Sequence, residues 1–212
     1  MNREAMLERV RMALGRKPGE PPEPPPPVYL PKVERSAEHR IALFTAALEE
    51  LAGRVVRCPS RDATRNAVSA MIAGKRAIAS RASYLRECAI PDIENVPSDF
   101  SDAAAYRQVC AAADVGITSA DYALADTGTL VMISGAEESR LVSLLPPAHI
   151  AVVPVSRLLE NLDELLLRVP RPADTTSSMV LITGPSRTAD IEQILVRGVH
   201  GPGEITVILV DD

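Results

Sequence analysis

From Ser36 to the end of the chain, short apolar runs rich in valine and isoleucine alternate with segments whose apolar residues recur every three or four positions. A run too short for a helix and apolar on both faces reads as a strand buried on both sides. Residues 55–56, 77–79, 115–118, 129–134, 150–153, 179–183 and 205–210 are such runs. Between them, Ser36 caps a helix with Ile41, Phe44, Leu48 and Leu51 on one face, ended by Gly53. Ser60 opens a second helix, closed by Gly74, and residues 101–113 form a third. Ser156 is expected to cap a helix carrying Leu158, Leu159, Leu162, Leu165 and Leu166, and Ile191, Ile194 and Leu195 mark a last one. Strand and helix in turn predict an α/β domain with a largely parallel sheet.

Composition agrees with this and narrows the function. The chain has two Phe, four Tyr and no Trp, so its core must be built from aliphatic residues. Scarce aromatics argue against stacking on single-stranded nucleic acid, and a net charge of −5 offers no footprint for a phosphate backbone. Cys58, Cys88 and Cys110 lie 30 and 22 residues apart, without zinc or iron–sulfur spacing, and read as free thiols of a cytoplasmic protein. The expectation is therefore no metal and no resident cofactor. No apolar run reaches the length of a membrane span.

Residues 1–17 carry an amphipathic helix with Met6, Val10, Ala13 and Leu14 on one stripe. Eight of the fourteen residues from Pro18 to Pro31 are proline, so residues 18–35 read as a semi-rigid spacer and residues 36–212 as the α/β domain.

In open α/β sheets ligands gather at the carboxyl ends of the strands. The loops in question follow Thr118, precede Thr129, follow Ser134 and Thr183, and run from Val199 to Gly203. Asp126-Thr127-Gly128-Thr129, near Asp121, sets a carboxylate and two hydroxyls beside a strand. Asp126 there is a base, a nucleophile or a hydrogen-bond anchor, or else satisfies the N–H groups of its own turn. One Asp-Thr-Gly in an alternating α/β pattern is not an aspartic-protease site, which needs two carboxylates sharing a proton. Gly184-Pro185-Ser186-Arg187-Thr188 joins a predicted strand to a predicted helix, as an anion cradle or a capped turn. It lacks the spaced glycines and lysine of a nucleotide loop, and Asp190 and Glu192 follow it closely. His200 lies among Gly198, Gly201 and Gly203, as an acid–base group or a turn residue. His149 precedes a strand with its side chain within reach of the loop face, and His39 reads as solvated.

Three phrases in this order, ADYALADTGTLVMISG, RLVSLLPPAHIAVVPVSRLL and ITGPSRTADIEQILVRGVHGPGEITVILVD, make the chain resemble the lactate-utilization protein C family, whose core is the LUD domain. The resemblance is strong over residues 114–212 and looser over 36–113. It implies a three-layer α/β/α sandwich with a mostly parallel sheet, like that of the sugar-isomerase, CoA-transferase and folate cyclo-ligase superfamily. It also implies work alongside iron–sulfur partner proteins in oxidising L-lactate to pyruvate, with this chain as a non-redox subunit. On that reading Asp126 and His200 move a proton. Thr127, Gly128, Thr129, Gly184, Ser186, Arg187 and Thr188 bind a small anionic ligand. An independent cyclo-ligase, isomerase or CoA-transferase-like enzyme, or a scaffold with a vestigial site, are the alternatives.

Overall fold

The β-branched runs come together as one parallel sheet because each is apolar on both faces and needs cover on both. The computed structural model describes residues 2–17, 19–21, 35–98, 102–174, 176–188 and 196–211. It divides into two units, Met1–Lys32 and Val33–Asp212. The first contains helix α1 (Arg3–Ala13), capped by Asn2, which accepts from the Ala5 N–H at 2.9 Å. Its apolar stripe of Met6, Val10 and Leu14 is exposed. The expected proline spacer falls mostly on residues 18 and 22–34, outside the described residues.

The second unit begins with α2 (Ala37–Glu50), β1 (Arg54–Cys58), α3 (Arg61–Met71), β2 (Ala77–Ala79), α4 (Ser83–Glu87) and α5 (Ala103–Ala112). It continues through β3 (Val115–Ser119), β4 (Tyr122–Leu124), β5 (Thr129–Ile133), α6 (Arg140–Leu144), β6 (Ala148–Pro154), β7 (Leu158–Leu159) and α7 (Leu162–Arg168). It closes with β8 (Met179–Ile182), β9 (Arg187–Thr188), β10 (Val196–Arg197) and β11 (Glu204–Val210).

The central sheet has five strands in the order β1-β11-β6-β3-β2, and every pairing in it is parallel. Alternate residues of each strand point to opposite faces. Ala77, Ala79, Val115, Ile117, Ile150, Val152, Ile208 and Val210 pack against Val68 of α3, Ile72 just past its end, and Tyr84 and Leu85 of α4. On the other face, Ala151, Val153, Val207 and Leu209 meet Ile41, Phe44 and Leu48 of α2, and Ile78 meets Cys110 and Val142 beside α5 and α6. The result is a three-layer α/β/α sandwich. Burying a side chain such as Phe44 or Leu48 contributes roughly 1.5–3 kcal/mol. The α6 backbone comes so near β3 that a Cβ on Gly116 would lie 1.9 Å from the Val142 carbonyl oxygen, which leaves glycine alone at that position.

A second, mixed sheet in the order β7-β4-β5-β8 packs on the α2 side. It accounts for one departure from the sequence reading, and a separate two-stranded sheet of β9 and β10 accounts for another. Ser156 does not cap a helix, because Val155–Arg157 is a single 3-10 turn and Leu158–Leu159 pairs with Ala123 and Leu124 as a strand. Both leucines are buried, and that burial outweighs their helical propensity. The helix starts at Leu162 instead, capped by Asn161, which accepts from the Glu164 N–H at 3.0 Å. Arg187–Thr188 likewise forms a strand paired antiparallel with Val196–Arg197, and not the first turn of a helix. The helix expected around Ile191, Ile194 and Leu195 lies outside the described residues, as do Asp190 and Glu192.

Candidate functional site

The two ends of β5 separate the residues that the sequence points to. Thr129 opens the strand and Ile133 closes it, so its ends are ~13 Å apart at about 3.3 Å per residue. Leu130 pairs with Ile182, which sets Thr183 beside Thr129 at the first end.

At that end a chain of hydroxyls forms. Thr127 Oγ1 and Thr129 Oγ1 are 2.8 Å apart, Thr129 Oγ1 and Thr183 Oγ1 are 2.9 Å apart, and Thr127 Oγ1 donates to Asp126 Oδ1 at 3.2 Å. Gly128 lies against α2 at φ +63°, where an added Cβ would sit 2.6 Å from the Leu48 nitrogen. Gly184 abuts the Leu51 side chain, and the Arg187 guanidinium donates to the Leu51 carbonyl just past the end of α2. Cationic donors are favoured at a helix carboxyl end, where carbonyls lack partners. Ser186 donates its N–H to the Pro202 carbonyl at 2.9 Å, and its Oγ accepts from the His200 N–H at 3.3 Å. Asp126, Arg187 and His200 are exposed, and Thr188 is half-buried in β9. The loops before Thr129, after Thr183 and around His200 thus gather in one region, with their polar groups largely bonded to one another and to α2.

The other end of β5 opens on a cleft of about 580 Å³ lined by Tyr84, Ser119, Asp121, Glu138, Arg157 and Arg168 among others. Ser119 is the last residue of β3 and Ser80 follows β2, so the floor lies outside the carboxyl ends of neighbouring parallel strands. Glu138, only 8% exposed, reaches this floor from the loop after β5. Its Oε2 accepts from Ser80 Oγ at 2.6 Å and from the Ser119 N–H at 3.4 Å. Its Oε1 and Ser119 Oγ are both buried without a hydrogen-bond partner. Buried polar atoms rarely go unpaired, so two of them on residues that line one cleft single out this end of the sheet. Burial pushes the Glu138 carboxyl up to about 8, against the opposing pull of the Ser80 and Ser119 hydrogen bonds, and the nearby Asp121 charge adds to the rise.

Asp121 is raised too, by burial first, although its Oδ2 accepts from the Ile133 N–H at 2.7 Å. Arg157 donates to the Ala120 carbonyl at 3.2 Å, and its guanidinium lies 5.4 Å from the Tyr84 ring centre. The loop that bears Glu138 is held to α4 and to the segment before it: Arg81 donates its N–H to the Glu137 carbonyl at 2.9 Å, and Arg86 of α4 pairs with the Glu137 carboxylate at 3.1 Å. Two acids with raised affinity for protons beside a guanidinium can exchange a proton with a bound anion and hold it in place.

Sequence reading found Asp121 and the loop after Ser134 but not Glu138, whose character depends on burial. The available signal was a pair of acids, Glu137-Glu138, directly after an apolar strand. His149 does not reach the loop face. It is buried in β6 near the opposite end of the sheet, with Nε2 2.8 Å from Thr118 Oγ1 and Nδ1 unpartnered. Burial, and then the Arg140 charge, hold its ring down to about 3, so it is neutral. His39 is exposed, and all three cysteines are buried and outside any disulfide. Among the described residues no group of three or more His, Cys, Asp or Glu could hold a metal ion, and no helix is long and apolar enough to cross a membrane.

Residues 41–210 match the LUD domain family. Lactate utilization protein C from Exiguobacterium is 31% identical over 222 residues, covering 100% of this chain and 96% of its own. Lactate utilization protein C from Halalkalibacterium halodurans is 46% identical over 104 residues, so the matched segment spans about half of the chain (47%) and 45% of that relative. Among solved structures, a DUF162 family protein from Deinococcus radiodurans superposes with a TM-score of 0.64 at 19% identity, covering 84% of this chain and 99% of that one, a likeness of fold. With its sandwich core matched from residue 41 to residue 210 and one relative aligned along all of it, this chain belongs to the LUD domain family.

Proposed function

We propose that this chain serves lactate utilization as a non-redox subunit that binds a small anionic ligand in the Glu138 cleft. The observation that carries the reading is the pair of unpartnered buried atoms, Glu138 Oε1 and Ser119 Oγ, at the carboxyl ends of the central strands. Its full-length relative from Exiguobacterium is named for lactate utilization, which supports the process. The three cysteines are buried core side chains, which supports leaving electron transfer to partners, iron–sulfur proteins in this reading, within the cytoplasm. In this view the Asp126–Thr129 and Gly184–Thr188 loops fasten β5 and β8 to α2 and so hold the second sheet, which carries Glu138.

Deletion of the gene, growth on L-lactate as sole carbon source, and rescue with variants test this. The expected result is lost growth, restored by the native gene and not by Glu138→Ala. Rescue by Glu138→Ala but not by Asp126→Ala places the working site in the loop cluster around Asp126 and His200. Rescue by both variants favours a scaffold. Turnover of a ligand by the purified chain alone favours an independent enzyme.

A further inference from the structure

We propose that α1 is an exchange arm, whose apolar stripe docks on the exposed leucines of α7 in a second copy of this chain. Each copy gives one arm and receives one.

The arm supplies the first half of the argument. α1 buries none of its residues, and Met6, Val10 and Leu14 are 49%, 50% and 63% exposed. A helix of 11 residues is marginal in water by itself, so docking of its stripe is what sustains it. At about 3.6 residues per turn, Arg3 heads the stripe, Arg9 and Arg11 flank it on its two sides, and Glu4 and Glu8 lie farther round. Residues 1–17 hold five basic side chains against two acidic ones, whereas residues 36–212 hold 16 against 23. The arm is therefore opposite in sign to the α/β unit.

The receiving face supplies the second half. Leu165 is the buried residue of α7, and Leu162 and Leu166, beside it on the helix surface, are 42% and 44% exposed. Asp163 and Leu167 continue that surface outward, both exposed. Leu181, at 43% exposure, lies on the same side of the second sheet, because it pairs with Val131, which packs with Leu165. An apolar face around one carboxylate suits an apolar stripe headed and flanked by guanidinium groups. Two arms would bring like charges together, as would two faces centred on Asp163, so each fits the other and not itself. The spacer favours a second copy. Arg35, at its end, is paired with the Glu160 carboxylate, and Glu160 lies two residues before α7. Eight prolines among residues 18–31 favour an extended chain of about 3 Å per residue. Such a spacer suits a reach to another molecule better than a return to the helix beside which it starts. Reciprocal exchange then closes a two-fold dimer.

Sedimentation equilibrium and native mass spectrometry of the full chain test this. The native chain is expected to be a dimer at micromolar concentration. Val10→Asp in the arm and Leu166→Asp on the face should each weaken dimerisation by about a hundredfold, tenfold for each of the two contacts that lose an apolar side chain. Asp163→Lys, which puts like charge opposite the arm, should weaken it as well. An equimolar mixture of the Val10→Asp and Leu166→Asp chains keeps one undamaged contact, from the native arm of one to the native face of the other. That mixture should form a heterodimer under conditions where each variant alone is a monomer. A native chain that stays monomeric up to about 0.1 mM, a dimer that either Asp variant leaves unchanged, or a mixture that stays monomeric would each overturn the proposal. Binding of a monomeric native chain to vesicles of phosphatidylcholine and phosphatidylglycerol, lost in Val10→Asp, would overturn it in favour of a lipid surface. The mass of the native chain keeps the test decisive even where a variant folds poorly.

Discussion

Ser80 donates from its Oγ to Glu138 Oε2 across 2.6 Å, tying the end of a central strand to the loop that leaves the second sheet. The bond crosses 58 positions of sequence and is buried. It holds the acid at the carboxyl ends of the central strands and leaves its other oxygen buried and unpartnered.

Removing that donor should be felt in both stability and titration. Ser80→Ala is expected to destabilise the fold by about 1–3 kcal/mol, the cost of an acceptor left short of a partner. It should also raise the Glu138 pKa further, because the Ser80 bond is what lowers it most. Urea denaturation and a side-chain NMR titration measure the two effects, and an unchanged pKa would show that the bond is not formed in solution.

The pH dependence of stability has a definite sign. Glu138 is raised to about 8 by burial, so between its unfolded value near 4.5 and about 8 the folded chain binds more protons than the unfolded one. Its contribution is complete below about 4.5 and is lost as pH climbs through about 8. His149 acts at the other side: its ring is held down to about 3, so its contribution is present above 6.5 and lost as pH falls toward 3. Melting temperature against pH should fall from pH 6.5 to about pH 8 and then level off, and Glu138→Gln should flatten that limb. An equally steep limb in the variant would assign the slope elsewhere.

Gly128 and Gly74 make a paired test of backbone against packing. Both have positive φ, but a Cβ at Gly74 meets nothing within 4 Å, whereas one at Gly128 would press on the Leu48 backbone at 2.6 Å. Gly74→Ala is expected to cost about 1 kcal/mol from the left-handed backbone alone. Gly128→Ala should cost about 3 kcal/mol or more, since neither α2 nor the loop can yield cheaply. Similar losses in chemical denaturation would show that the loop does not dock on α2.

Arg187 sits where its guanidinium closes α2, bonded to the Leu51 carbonyl. Arg187→Ala should therefore lower stability by about 0.3–1 kcal/mol, the usual range for a cation at an exposed helix carboxyl end, and the loss should shrink in high salt. Lost growth on L-lactate with the fold intact in the same variant would instead give Arg187 the ligand-holding role.

The thiols offer a readout of global opening. Cys58, Cys88 and Cys110 are each at most 4% exposed, so a thiol reagent should label the native chain slowly and all three groups on unfolding. Fast labelling of one cysteine in the native chain would locate a region that opens on its own.

Much of the layered core was legible from the sequence alone. Residues 115–118, 150–153 and 205–210 are apolar on both faces, and only a sheet covered on both sides can use such runs. Ser36 and Ser60 announced their helices because a hydroxyl three residues before an N–H is a local relationship, and both caps form, each at 3.2 Å. The LUD resemblance rested on residue order and was equally visible there. What tertiary structure decided was everything that depends on partners distant in the chain. Leu158 and Leu159 have helical spacing yet extend, because Ala123 and Leu124 lie alongside them. Asp126 and Asp121 stand five positions apart and look like one cluster, yet the β4–β5 pairing sends them toward opposite ends of the second sheet. Glu138 reads as one more surface acid, and only burial beside Ser80 and Ser119 turns it into a proton-holding group, since the cost of removing a charge from water is set by surroundings that no local pattern encodes.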